Sequence, residues 1–185
     1  MRLPERIEGR RLHLRRWRPE DASVLAAAVA RNVEHLRPWM PWIEDEPLDA
    51  GARLRLIEGW GERWAAGGDA VYGVFDPSGV GDAHRVVGGC GLHHRSGPDT
   101  LEIGYWVDRD HLRLGVGTDV ARMLTTTALA VEGIIAVEIH HDPTNVASGA
   151  IPRRLGYTFL GTTEQGRSAW RMEPSTWRGG VGNEC

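Results

Sequence analysis

Gly115 and Gly117 stand one residue apart in the stretch HLRLGVGTDVARML, at the start of a helix-like run. Small residues there bare the backbone amides, and unpaired N–H groups backed by the helix dipole make an anion site. Spacing narrows which anion. A phosphate loop of the form G-x-x-x-x-G-K-[ST] is excluded, because Gly115, Val116, Gly117 and Thr118 run straight into Asp119. A dinucleotide fingerprint would need its third glycine at Val120 and a tight strand-to-helix turn in place of RDHLRL. Two adjacent-histidine pairs, His93 with His94 and His140 with His141, lie in strand-like runs. Neighbours on a strand point to opposite faces, so neither pair chelates one ion and no metal is expected. Cys90 sits in an apolar run without a paired base and Cys185 is the last residue, which excludes a disulfide framework, a zinc cluster and a thiol nucleophile.

Helices and strands must position these groups. RLHLRRW sets Leu12 and Leu14 against His13 and Arg15, the alternation of a half-buried strand. The next run has Pro19 near a first helical turn and Ala22, Leu25, Ala26, Val29 and Val33 at helical spacing. A loop from Glu34 to Asp49 leads to a second helix, whose inner stripe reads Leu54, Ile57, Trp60 and Trp64. AVYGVFD, RVVGGCGLHH and TLEIGYWVD, separated by turn residues, predict an antiparallel meander. The glycine stretch then opens a helix and AVEIHHD follows as a buried strand, so a right-handed crossover joins parallel partners. A short helix from Asn145 to Leu155, closed by Gly156, precedes a hairpin of YTFLGTT and SAWRMEP. The expectation is one domain over residues 1–177, a central sheet with helices on both faces, and a frayed tail over 178–185.

The 22 basic side chains against 25 acidic ones leave a formal charge of −3, which argues against a general nucleic-acid binder. No apolar run approaches the roughly 20 residues that span a bilayer, so no membrane partner is expected. The charged start MRLPERIEGRRLHLRRW has no hydrophobic signal core, which makes a cytoplasmic location the default.

At RDHLRLGVGT the chain resembles the GNAT superfamily of acyl-CoA-dependent N-acyltransferases, and within it the RimJ/RimL-like branch. That family places a [QR]-x-x-G-x-[GA] loop between its fourth strand and the helix that binds the CoA pyrophosphate. Both small positions match at Gly115 and Gly117, while Leu112 stands where Gln or Arg is usual and Arg113 follows it. LEIGYWV, EIHHDPTNVAS and RRLGY are similar to the family's fourth strand, its fifth strand with Asn-x-x-Ser, and the Leu-Gly-aromatic end of its last helix. HLRPWMPW looks like the Trp-rich loop of the RimL-like branch. The resemblance implies the GNAT fold, a mixed α/β architecture. Its central, mostly antiparallel twisted sheet has six to seven strands, its fourth and fifth strands are parallel and splay apart, and helices cover both faces. It also implies acetyl-CoA as co-substrate and an amine as acceptor.

Acyl transfer to an amine needs an anchor for CoA, an oxyanion donor, a base and a proton for the leaving thiolate. The anchor falls on Arg113, Leu114, Gly115, Val116, Gly117 and Thr118. The oxyanion donor falls on a backbone N–H of the Tyr105 to Val107 stretch, with Trp106 and Val107 against the pantetheine. Glu102 shares its strand face with Gly104 and Trp106, and is the candidate base, acting directly or through water. Many members carry an acidic Tyr where this chain has Pro152, so the resemblance turns to Ser148 for the thiolate and to Asn145 for pantetheine, although Asn145 also suits a helix cap. Trp39 and Trp42 offer an apolar acceptor wall, Glu44, Asp45 and Glu46 a negative one, and His141 or Asp142 a further contact. The acceptor reads equally as a protein N-terminal α-amine, as in ribosomal proteins, or as a small amine such as an antibiotic or amino-acid conjugate. Pro152 and Leu112 keep open a CoA-binding module without catalysis, and exposed-looking tryptophans leave room for a homodimer.

Overall fold

The computed structural model describes residues 3–78 and 85–179. Among the described residues eight strands form one sheet in the order β1-β2-β3-β4-β5-β6-β8-β7, from β1 (Arg6–Glu8), β2 (His13–Arg16), β3 (Ala70–Asp76), β4 (Arg85–His93) and β5 (Thr100–Val107) to β6 (Ala136–His141), β7 (Thr158–Thr162) and β8 (Ser168–Met172). The pairing is antiparallel except between β5 and β6. The sheet therefore exceeds the six to seven strands expected. The addition is β1, whose three residues are too few for any periodicity to show and which lies at the sheet edge.

The α-helices of the described residues cover the sheet: α1 (Ala22–Leu36), α2 (Ala50–Ala65), α3 (Val116–Leu129) and α4 (Val146–Arg154). On one face Leu25, Val29 and Leu36 of α1 and Ile57 of α2 pack with Trp17, Phe75 and Val86. On the other, Val116, Val120 and Leu124 of α3 pack with Leu92, Leu101, Ile103 and Ile139. The inner stripe of α2 differs from the periodic reading. Leu54 is exposed, while Arg53 and Ile57 are buried. A charged side chain goes inside because Glu46 waits for it, the Arg53 guanidinium donating to both carboxylate oxygens at 2.7 and 2.6 Å. Among the described residues no helix is long and apolar enough to cross a membrane. Arg178 and Gly179 are described, and the rest of the expected tail lies outside the described residues.

Candidate active site

The β5–β6 ladder runs from Thr100 opposite Ala136 to Ile103 opposite Ile139 and stops there, although β5 continues to Val107 and β6 to His141. Beyond Ile103 the two strands keep only their outer partners, Cys90 opposite Tyr105 on one side and His141 opposite Ser168 on the other. A wedge opens between them, and the β5 edge facing it carries unpaired backbone groups.

On the α3 side of the wedge lie the residues predicted as the anchor. Arg113 (φ 61°) and Gly115 (φ 84°) both adopt left-handed backbone, turning the chain so that α3 starts at Val116. Helix geometry leaves the amides of Val116, Gly117 and Thr118 without intrahelical acceptors, and Asp119 is the first residue to bond back, to the Gly115 carbonyl at 3.0 Å. Gly117 has no room for a side chain, since a Cβ there would lie 2.8 Å from Ile151 Cδ1. Arg113 and Leu114 are exposed beside this turn. Two cations absent from the sequence reading flank it. Arg154 donates to the Thr118 hydroxyl at 3.2 Å, and Arg11 donates to the Leu114 carbonyl at 3.3 Å and pairs with Asp119. They arrive from distant elements, so no local pattern announces them. Leu112, the odd residue of the loop, is exposed.

Deeper in the wedge, Asn145 caps α4 by accepting from the Ser148 amide at 3.0 Å. This places the Ser148 hydroxyl 3.2 Å from the Tyr105 phenol. Burial pushes the Tyr105 pKa up to about 12 against the opposing bond to Ser148, so the phenol keeps its proton at neutral pH. Trp106 and Val107 complete β5 on opposite faces, Val107 towards Gly117 and Trp106 away from it.

The other face of β4 and β5 holds a cleft of about 1120 Å³ under α1 and α2. Across the two strands, Glu102 pairs with His93, Gly104 with Gly91 and Trp106 with Gly89. The Gly104–Gly91 row leaves bare backbone as a floor between a charged end and the Trp106 indole. An added Cβ at Gly89 would meet Trp106 Nε1 at 2.5 Å, and one at Gly91 would meet His93 Nε2 at 2.7 Å. Trp39 and Trp42 line the cleft, and the Trp42 ring tilts at 54° to Trp106 with centroids 6.5 Å apart.

Glu102 reaches this cleft but is not solitary. Its buried carboxylate accepts from Arg95 at 3.1 Å, and its oxygens lie 3.6 Å from His140 Nδ1 and 4.0 Å from Arg167. The acidic acceptor wall does not form. Glu46 is spent on Arg53, and Glu44 is exposed beside Arg37 at 3.6 Å and does not line the cleft. Of the three acids only Asp45 remains available there, while Arg55, Arg63, Arg95 and Arg167 line it too. His141 is likewise committed: its Nδ1 donates to the Asp142 carbonyl at 2.8 Å and its Nε2 accepts from the Trp170 indole at 3.0 Å. Burial pushes the Cys90 thiol pKa up, which leaves it a small buried hydrophobe rather than a nucleophile.

Among the described residues the one parallel strand pair thus opens into a wedge with a bared helix start on one side. Residues 11–158 match the family described as the Acetyltransferase (GNAT) domain. The chain belongs to the GNAT acetyltransferase family. As a member it is an acyltransferase, and the GNAT fold expected from the motifs is present. YdaF of Bacillus subtilis (strain 168), provisionally named a ribosomal N-acetyltransferase, is 26% identical over 155 residues, covering 83% of this chain and 81% of YdaF. RimL, a ribosomal L7/L12 alpha-N-protein acetyltransferase solved with coenzyme A, superposes with a TM-score of 0.78 at 18% identity, over 92% of this chain and 97% of RimL. RimJ of Mycobacterium smegmatis, solved with a CoA-disulfide, gives a TM-score of 0.81 at 16% identity, over 95% and 91% of the two chains. The similarity to the RimJ/RimL-like branch is thus borne out across nearly the whole GNAT chain.

Proposed function

We propose that this GNAT protein is an acetyl-CoA-dependent N-acetyltransferase in which the acceptor amine attacks the thioester directly. The observation that carries this reading is the wedge itself. It joins the bared amides of Val116 to Thr118 and the Ser148–Tyr105 pair on one side to Glu102 and the tryptophan cleft on the other. Acetyl-CoA supplies the activated acyl group. Its pyrophosphate suits the amides from Leu114 to Thr118 with Arg113, Arg11 and Arg154 around them, and its pantetheine suits the open β5 edge at Trp106 and Val107 with Asn145 beside it. An unpaired β5 amide is the oxyanion donor. Ser148, bonded to the protonated Tyr105, offers a hydroxyl to the departing thiolate and replaces the tyrosine that Pro152 displaces. Glu102 receives the acceptor ammonium and starts its deprotonation, directly or through water. The acceptor is a protein N-terminal α-amine or a small amine, reaching Glu102 past Trp39 and Trp42.

Thiol release from acetyl-CoA against a panel of peptides and small amines tests this. Glu102→Gln is expected to lower kcat/KM about 100-fold, and Ser148→Ala about 10-fold, with CoA affinity unchanged in both. Tight CoA binding with no thiol release for any amine would overturn the enzymatic reading of the site.

A further inference from the structure

Opposite Glu102 on β4 lies His93, a residue that neither the motifs nor the glycine spacing singles out as catalytic. Its Nδ1 is 2.8 Å from Asp69 Oδ2, and Asp69 Oδ1 accepts from the His94 amide at 3.0 Å. Burial opposes the charge on Asp69, but hydrogen bonds from the His93 ring and the His94 amide outweigh it and hold the carboxyl below its ordinary range. A carboxylate only accepts, so the ring hydrogen sits on Nδ1 and the lone pair on Nε2. That Nε2 has no partner among the described residues and faces the floor left by Gly91 and Gly104. It would lie 2.7 Å from a Cβ on the first and 3.5 Å from one on the second. Gly104 is also where β5 leaves β6 and the wedge begins. The free nitrogen therefore borders the place where an amine and a thioester carbonyl would meet.

The charged groups facing His93 are Asp69 from the turn after α2, Arg95 from the turn after β4 and Glu102 from β5. Burial lowers the His93 pKa below that of free imidazole and Arg95 adds to it, against opposing pulls from Asp69 and Glu102. The ring is neutral at pH 7 and ready to take a proton.

We propose that His93 is the general base that receives the proton of the acceptor ammonium, with Asp69 as the positioning residue that fixes its tautomer. This rests on the acetyltransferase reading and refines it: Glu102 binds the ammonium and His93 is the proton's destination. One N–H bond of the ammonium breaks and its proton goes to Nε2. The freed nitrogen pair then forms the bond to the acetyl carbon as the carbon–sulfur bond breaks. The thiolate takes the second nitrogen proton through Ser148, and His93 returns its own to solvent.

Thiol release by the full chain with a serine-initiated peptide, measured from pH 6 to 10, tests the base. His93→Gln is expected to lose about 100-fold in kcat/KM at pH 7 with CoA affinity unchanged, and most of that loss vanishes near pH 9.5, where an α-amine of pKa about 8 is already free. Asp69→Asn is expected to lose about tenfold and to move the acidic limb of the profile to lower pH, because His93 loses its carboxylate. Nitrogen NMR of histidine-labelled protein should show His93 neutral at pH 7 with its proton on Nδ1. A proton on Nε2, or a His93→Gln profile matching wild type, overturns the proposal and leaves the acetyltransferase reading standing. Absence of thiol release by wild type across the whole amine panel overturns both.

Discussion

The two sides of the wedge are made from different materials. On the α3 side most of the groups proposed to hold CoA fall in two short segments, residues 105–118 and 145–148, with Arg11 and Arg154 added from elsewhere, and much of what the two segments offer is backbone: first-turn amides and an unpaired strand edge. On the cleft side the groups come from many separated segments, Trp42, Asp69, His93, Glu102 and Arg167 among them, and apart from the glycine floor what they offer is side chain. Backbone sites follow from local conformation, which small residues and caps dictate within a few positions. Side-chain sites depend on which distant groups the sheet register brings together, and their charges are settled by pairing.

The largest effect belongs to the Arg53–Glu46 pair, which holds the loop carrying Trp42 against α2 and is almost entirely buried, at 3% and 5% exposure. Arg53→Ala strands a buried carboxylate and should cost about 3–5 kcal/mol in denaturant unfolding, with acceptor use lost before CoA binding. Next is the α3 side: Gly117→Val pushes on Ile151 and fills the amide cradle, and should weaken CoA binding about 100-fold by calorimetry while acceptor-side tryptophan packing is kept. If Gly117→Val damages both sides equally, the division is wrong.

A smaller effect is expected at Asp108, which carries the chain from β5 into the turn before α3. Burial would raise its pKa, yet hydrogen bonds from Asn32, the Asp110 amide, Arg31 and His111 lower it to about 2. A depressed folded pKa contributes stability above the unfolded value of about 3.9 and loses it as pH falls towards about 2, on the order of 2 kcal/mol in all. Asp108→Asn should flatten that part of the stability profile in acid unfolding. The smallest effect is Trp42→Ala, which removes one exposed cleft wall. It should raise the acceptor KM about tenfold and leave CoA affinity alone.

Legibility in the sequence divided along the same line. Gly115 and Gly117, the cap at Asn145, the meander and the parallel step were all readable, because each is built from periodic runs and turn or cap signals that are individually shorter than about 20 residues. Glu102 was placed on its correct face by alternation, but its partners Arg95, His140 and Arg167 were not. Glu44 and Glu46 looked like an acidic wall because the sequence does not show that Arg37 and Arg53 reach them first. His93 drew notice only as half of an adjacent pair, since Asp69 is 24 residues away.

What the sequence alone determined was therefore the backbone part of this protein: the order of its elements, the family they belong to and the bared start of α3. Tertiary structure decided which charges are spent and which are free, that Tyr105 meets Ser148, and that a histidine opposite Glu102 has one nitrogen tied to a carboxylate and the other open to the cleft. The reason is physical. Backbone conformation answers to near neighbours, whereas the state of an ionisable side chain is set by whatever the fold places within a few ångströms of it.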